Sequence, residues 1–235
     1  MSPVTHMPAG TPKGGQFASA KGGGGGGGGL VGSSHKELLE NSEPLNAEQQ
    51  ASADSWRDGT MHRLVGSELR LTEEEFDPWE NLGTVEGVSE GQVKGVIKGL
   101  DSAFDAQKPL AQDIEVHRGL KLGQMDEAFY DMTPEAAAKD FVNTFQTMQD
   151  NSFVATSGSQ REASKFSQND AHAVVLRIKV PKGAKVLPIE SSKALSHAGE
   201  QEILLPRSTK IRLVKVSGRS PHLDRAFVID AEVVL

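Results

Sequence analysis

Eight consecutive glycines at positions 22–29 set the first limit on what this 235-residue chain can fold into. Glycine brings no side chain to bury and loses the most backbone entropy on ordering. The surrounding stretch has the same character: residues 1–35 hold 12 of the 25 glycines, no acidic residue, and only Lys13 and Lys21 as formal charges. Residues 1–35 are therefore expected to be a disordered, glycine-rich tether, and 36–235 the folded domain. The net charge of the chain is −7, so setting aside the +2 of the tether leaves −9 on the rest. A surface that acidic disfavours non-specific binding to nucleic acid, which depends on neutralising phosphates. The absence of cysteine excludes disulfides, thiolate nucleophiles and cysteine metal sites. No apolar run approaches the ~20 residues that span a bilayer. The N-terminus has no charged start followed by an apolar stretch, so it does not read as a secretory signal. These features predict a protein that is not membrane-bound and begins in a cytoplasm.

Beyond the tether, the periodicity changes once along the chain. Residues 45–71 predict a helix, with Trp56, Met61, Leu64, Val65 and Leu69 at helical spacing. The acidic stretch 72–78, ending in Asp77-Pro78, predicts a loop. A second helix is expected after Ser89, which offers an N-cap with Gln92 three residues on and a stripe of Val93, Val96, Ile97, Leu100 and Phe104. After Pro109, residues 113–117 alternate as a short strand that ends in Arg118-Gly119. Thr133-Pro134-Glu135 predicts a helix start, with Ala137, Phe141, Phe145 and Met148 continuing one face. A strand at 153–155 leads to a short helix at 160–167. Strands follow at 173–180, 185–189, 201–205, 210–216 and 225–234. Helices early and strands late predict an α+β fold, with a helical portion at 36–110 and a β-rich core at 111–235. The glycine run neither follows a strand nor opens a helix, which excludes a Rossmann or P-loop reading.

Three short segments carry chemistry. In Gly199-Glu200-Gln201-Glu202-Ile203-Leu204-Leu205-Pro206, strand alternation predicts Glu200 and Glu202 on one face, with the apolar residues tying them to a buried strand. Val116-His117-Arg118-Gly119-Leu120 puts an arginine beside a glycine, where a phosphate can approach the backbone. Phe153-Val154-Ala155-Thr156-Ser157-Gly158-Ser159 puts hydroxyls after an apolar strand and before the short helix. Taken singly, these read as two solvated glutamates, a surface arginine and a helix cap.

In this order and spacing, the segments resemble the arginine–serine–glutamate class of mono-ADP-ribosyltransferases, which includes the exoenzyme toxins and transferases of tailed phages. The class pattern is Arg-Gly on one strand, Ser-Thr-Ser on another, and Glu-x-Glu running into apolar residues, Pro and a turn. His117-Arg118-Gly119, Ala155-Thr156-Ser157 and Glu200-Gln201-Glu202 match it in turn. The chain departs from the pattern at Ala155, where the class has serine.

The resemblance implies two packed, mainly antiparallel sheets forming an NAD cleft, with N-terminal helices. It implies NAD as co-substrate, Glu202 as the carboxylate facing the ribosyl cation, and Glu200 as the residue that orients the acceptor. It further implies that Arg118 and Gly119 hold the pyrophosphate and that Thr156 and Ser157 brace the nicotinamide ribose. Residues 158–172 then correspond to the loop over the cofactor, with Arg161 and Phe166 as candidate contacts, although Phe166, on the apolar side of the short helix, reads more as core than as a contact. Glu at the first position of the pair implies an arginine acceptor on a protein. Free guanidino compounds, an RNA acceptor and simple NAD hydrolysis remain open, as does a weak or inactive member of the fold. The seven histidines show no metal-ligand spacing, so no metal is expected. The Pro/Gly-rich opening resembles leaders of phage head-associated proteins, which implies attachment to a phage capsid through residues 1–29 and action in the virion or the bacterial host cytoplasm.

Overall fold

The computed structural model describes residues 5–6 (backbone only), 35–70, 87–189 and 201–235. The rest of the tether, the acidic loop at 72–78, the turn at 191–199 and Glu200 lie outside the described residues.

The helical stretch expected at 45–71 is two helices, α2 (Ala47–Trp56) and α3 (Gly59–Arg70), preceded by α1 (His35–Asn41), which the sequence pattern did not indicate. The interruption has a local cause. The Asp58 carboxylate accepts hydrogen bonds from the backbone N–H groups of Thr60 and Met61 at 2.9 and 3.2 Å, satisfying donors at the start of α3. Helix α4 (Glu90–Ala106) begins with the expected capping box between Ser89 and Gln92. It buries Val93, Val96, Leu100 and Phe104. Helices α2 and α4 meet where Gly99 faces Ser52: a Cβ at Gly99 would lie 2.0 Å from the Ser52 hydroxyl oxygen, so only glycine permits the contact.

Strand β2 (Ile114–Lys121) runs four residues past the expected end, so Arg118 and Gly119 sit within the strand. A short α5 (Leu122–Met125) and a 3-10 turn at Glu127–Asp131 lead to α6 (Pro134–Phe145), capped by Thr133 with Pro134 at its first position. Gln146, at φ +37°, ends that helix, so Met148 belongs to β3 (Thr147–Gln149) and not to the helix face. Then come β4 (Val154–Ser157), α7 (Gln160–Ser167), β5 (Ala173–Val180), β6 (Leu187–Pro188), β7 (Glu202–Leu205), β8 (Lys210–Ser220) and β9 (Leu223–Val234). Thr5–His6 form β1, paired with β3.

The fold is α+β, as expected, and its sheet is mainly antiparallel. Among the described residues, only β1/β3 and β5/β9 pair in parallel. The expected division into two sheets is not what the ladders form: they give one continuous order, β1-β3-β8-β9-β5-β2-β4-β7-β6. The join between β2 and β4 is narrow, a single pair of residues, His117 and Ser157, while β2 pairs with β5 along its whole length. The β4-β7-β6 portion is thus joined to the larger portion through that seam. Its two faces meet different cores. Val154, Ile203 and Leu205 join the core under α6, whereas Phe153, Ala155 and Leu204 join the one under α2, α3 and α4 with Trp56, Leu100 and Phe104.

Candidate functional site

The seam between β2 and β4 positions the site. Across three strands, His117 of β2 pairs with Ser157 of β4, and Ser157 pairs with Glu202 of β7. Residues directly opposite in an antiparallel pair project to the same face, so Ser157 and Glu202 share the face that also carries Ala155 and Leu204. That face is roofed by the N-terminal helices, and Glu202 is only 2% exposed.

A buried carboxylate needs partners. The indole N–H of Trp56, the last residue of α2, donates to Glu202 Oε1 at 3.1 Å, and the Arg57 guanidinium lies 3.6 Å from Oε2. Arg57 thereby supplies a compensating charge inside the fold. His35 Nε2 donates to the Glu202 backbone carbonyl at 3.2 Å. Trp56 is held by two edge-on ring contacts, with His62 at 4.3 Å and Phe153 at 5.6 Å between centroids.

On the far side of Ser157, the strand partner of Glu202, an open pocket that Glu202 itself does not line is walled by His117, Arg118, Gly119, Ala155, Thr156, Ser157, Ala163 and Phe166. Arg118 donates to the Ala155 carbonyl at 2.8 Å, which fixes its guanidinium across β4. Burial lowers Arg118 below the ordinary guanidinium value, and the nearby Asp150 carboxylate works the other way; a guanidinium remains a cation throughout. Asp150 is gripped by Arg70 through two hydrogen bonds of 2.7 and 2.8 Å. Burial opposes its charge, but Arg70 and the Ser152 N–H hold its carboxyl below the usual carboxylate range. His62 is pushed down to about 3, first by burial and then by the charges of Arg118 and Arg70, so its ring is neutral at neutral pH.

The two hydroxyls of the strand differ. Thr156 donates to the Ile203 carbonyl and so staples β4 to β7. Ser157 stands opposite Glu202 and accepts from the Ser159 N–H at 3.0 Å. Phe166 is not in the core: the buried face of α7 is Ala163, Ser164 and Ser167, and Phe166 forms a pocket wall. Arg161, on the first turn of α7, does not line the pocket. The close approach at Gly119 is made by the protein itself, since a Cβ there would lie 2.2 Å from the Ala163 carbonyl oxygen. The strand expected to carry Glu200 and Glu202 together begins only at Glu202. Gln201 has φ +50°, in the left-handed region, so the extended strand does not continue back through Gln201.

The sequence pattern did not single out Trp56, Arg57, His62 or the Arg70–Asp150 pair. Trp56 read as one more apolar position of a helix, and its indole partner lies 146 residues away. Among the described residues, no group of three or more His, Cys, Asp or Glu is placed to hold a metal ion.

Residues 79–235 match the family model described as ADP-ribosyltransferase exoenzyme. The chain belongs to that family. NAD is accordingly its substrate, and ADP-ribose the group it transfers. No curated protein sequence matches the chain. Solved structures of the fold do: C3stau2 from S. aureus, determined with NAD, has a TM-score of 0.63 at 18% identity, covering 85% of this chain and 92% of that one. An ADP-ribosyltransferase from Clostridium botulinum gives 0.59 at 19% identity, over 85% and 92%. ADP-ribosyltransferase Vis, in complex with agmatine, gives 0.52 at 17% identity, over 86% and 81%. At these identities the likeness is one of fold.

Proposed function

We propose that the protein is a mono-ADP-ribosyltransferase that transfers ADP-ribose from NAD to an arginine side chain of a protein, with Glu202 as the catalytic carboxylate. The observation that carries this reading is the buried Glu202 carboxylate, held by Trp56 on the strand position opposite Ser157, which lines the pocket with Arg118. In the reaction the bond between the ribose carbon and the nicotinamide nitrogen breaks. Its electron pair leaves with nicotinamide, and positive charge develops on the ribose. A fixed carboxylate stabilises such a cation most where water is excluded, as in glycoside cleavage. Arg118 holds the pyrophosphate through its planar fork. Gly119 admits α7 against the strand, which brings Phe166 to the nicotinamide end, and Ser157 braces the ribose. Thr156 serves by fixing the spacing of β4 and β7, and Arg161 contacts the outer part of the dinucleotide.

The acceptor nitrogen then forms the new bond to the ribose carbon and gives up a proton. Guanidinium is cationic and a poor nucleophile, so a second carboxylate, Glu200, orients it and takes the proton. Agmatine, the compound bound in the Vis structure, carries the same guanidinium group, in keeping with such an acceptor. For residues 1–29 the accompanying proposal is attachment of the catalytic domain to a phage particle.

Agmatine as acceptor tests the division of labour. Glu200→Gln is expected to lose transfer to agmatine while keeping nicotinamide release to water. Equal loss of both activities contradicts the role given to Glu200.

A further inference from the structure

We propose that Trp56 is a positioning residue for catalysis, its indole N–H holding the Glu202 carboxylate in the orientation the reaction needs. This rests on the reading of Glu202 as the catalytic group.

Three observations converge on it. First, the hydrogen bond from Trp56 to Glu202 Oε1 is buried and joins elements 146 residues apart, so the helical roof reaches down to the reacting strand. Second, the neighbouring strand offers a single hydroxyl from that face, that of Ser157 opposite Glu202. Ala155 projects to the same side as Ser157 and Glu202 but has no hydroxyl, and the Thr156 hydroxyl is committed to the Ile203 carbonyl. Third, the indole cannot drift. It is 1% exposed, set edge-on to His62 and Phe153, and it lies in one apolar cluster with Ala155 and Leu204. That packing accounts for alanine at 155, because a serine there would place a hydroxyl in an apolar cluster whose carboxylate already has a donor.

A residue that only supports the fold affects stability and NAD affinity together. A residue that aims a carboxylate affects turnover. Trp56→Phe removes the N–H and keeps an aromatic ring against His62 and Phe153. In the full-length chain, kcat for nicotinamide release from NAD is expected to fall about tenfold, as for loss of one aimed hydrogen bond, with NAD affinity by calorimetry kept within about twofold. Adding Ala155→Ser to Trp56→Phe restores a donor from the strand side and is expected to recover part of the lost kcat. Unchanged kcat in Trp56→Phe, a parallel loss of NAD affinity, or no recovery in the folded double variant overturns the proposal. Glu202→Gln is run alongside. If it is fully active, both the Glu202 assignment and this inference fall. If it is inactive while Trp56→Phe is fully active, this inference alone falls.

Discussion

At the residue scale, the site is a set of charges that the fold keeps in place by burial. His62 shows the consequence most clearly, because its ring is set edge-on to Trp56 and lies in the field of Arg118, Arg70 and Arg63, which Asp150 only partly offsets. Its folded-state value of about 3 lies below the ordinary 6.5. The unfolded chain therefore takes up a proton from about pH 6.5 downwards, while the folded chain resists until about pH 3. Stability contributed by the neutral ring is fully present above pH 6.5 and is lost as pH falls towards 3, by up to about 1.4 kcal/mol per pH unit. Denaturant unfolding at pH 6.5 and pH 5 should show a smaller loss of stability in His62→Gln than in the unsubstituted protein. The same loss in both means that His62 is not held neutral by the fold.

Among the elements, α7 owes its position to one glycine. The Ala163 carbonyl occupies the space of a side chain at 119, so Gly119→Ala must push the helix from β2. Overpacking of that kind costs about 1–3 kcal/mol, which a shift in denaturant midpoint measures. Because Phe166 rides on the same helix, NAD affinity should fall too. An unchanged midpoint and affinity contradict the packing described. Much at this scale was legible in the sequence. The capping box at Ser89, the Thr133-Pro134 helix start, the strand at 173–180 and the helix at 160–167 follow from local chemistry, and the structure has them at those places. The break at Asp58 was missed because a good apolar period runs through it, while the capping of α3 depends on where one carboxylate turns. Arg118, Ser157 and Glu202 were legible as a pattern on three strands. Trp56 and Arg57 were not, since only tertiary packing brings the end of α2 over β7.

For the whole molecule, the narrow β2–β4 seam places the pocket between two portions of sheet that share the core under α6, the smaller portion also packing its other face on the core under the N-terminal helices. A substrate gripping both sides of that seam stabilises the folded state by mass action, by about 2.7 kcal/mol at a free concentration one hundred times its dissociation constant. NAD should accordingly raise the unfolding temperature. Arg118→Ala should remove most of that rise, because the pyrophosphate loses its cation; an undiminished rise contradicts the place given to Arg118. No helix among the described residues is long and apolar enough to cross a membrane.

The most direct measurement is the fate of NAD labelled on its adenylate when mixed with an arginine-bearing acceptor protein and either the unsubstituted chain or Glu202→Gln. The unsubstituted chain should transfer label to the acceptor and release nicotinamide, while Glu202→Gln should do neither and still bind NAD. Transfer by Glu202→Gln at the unsubstituted rate would contradict the assignment of the catalytic carboxylate.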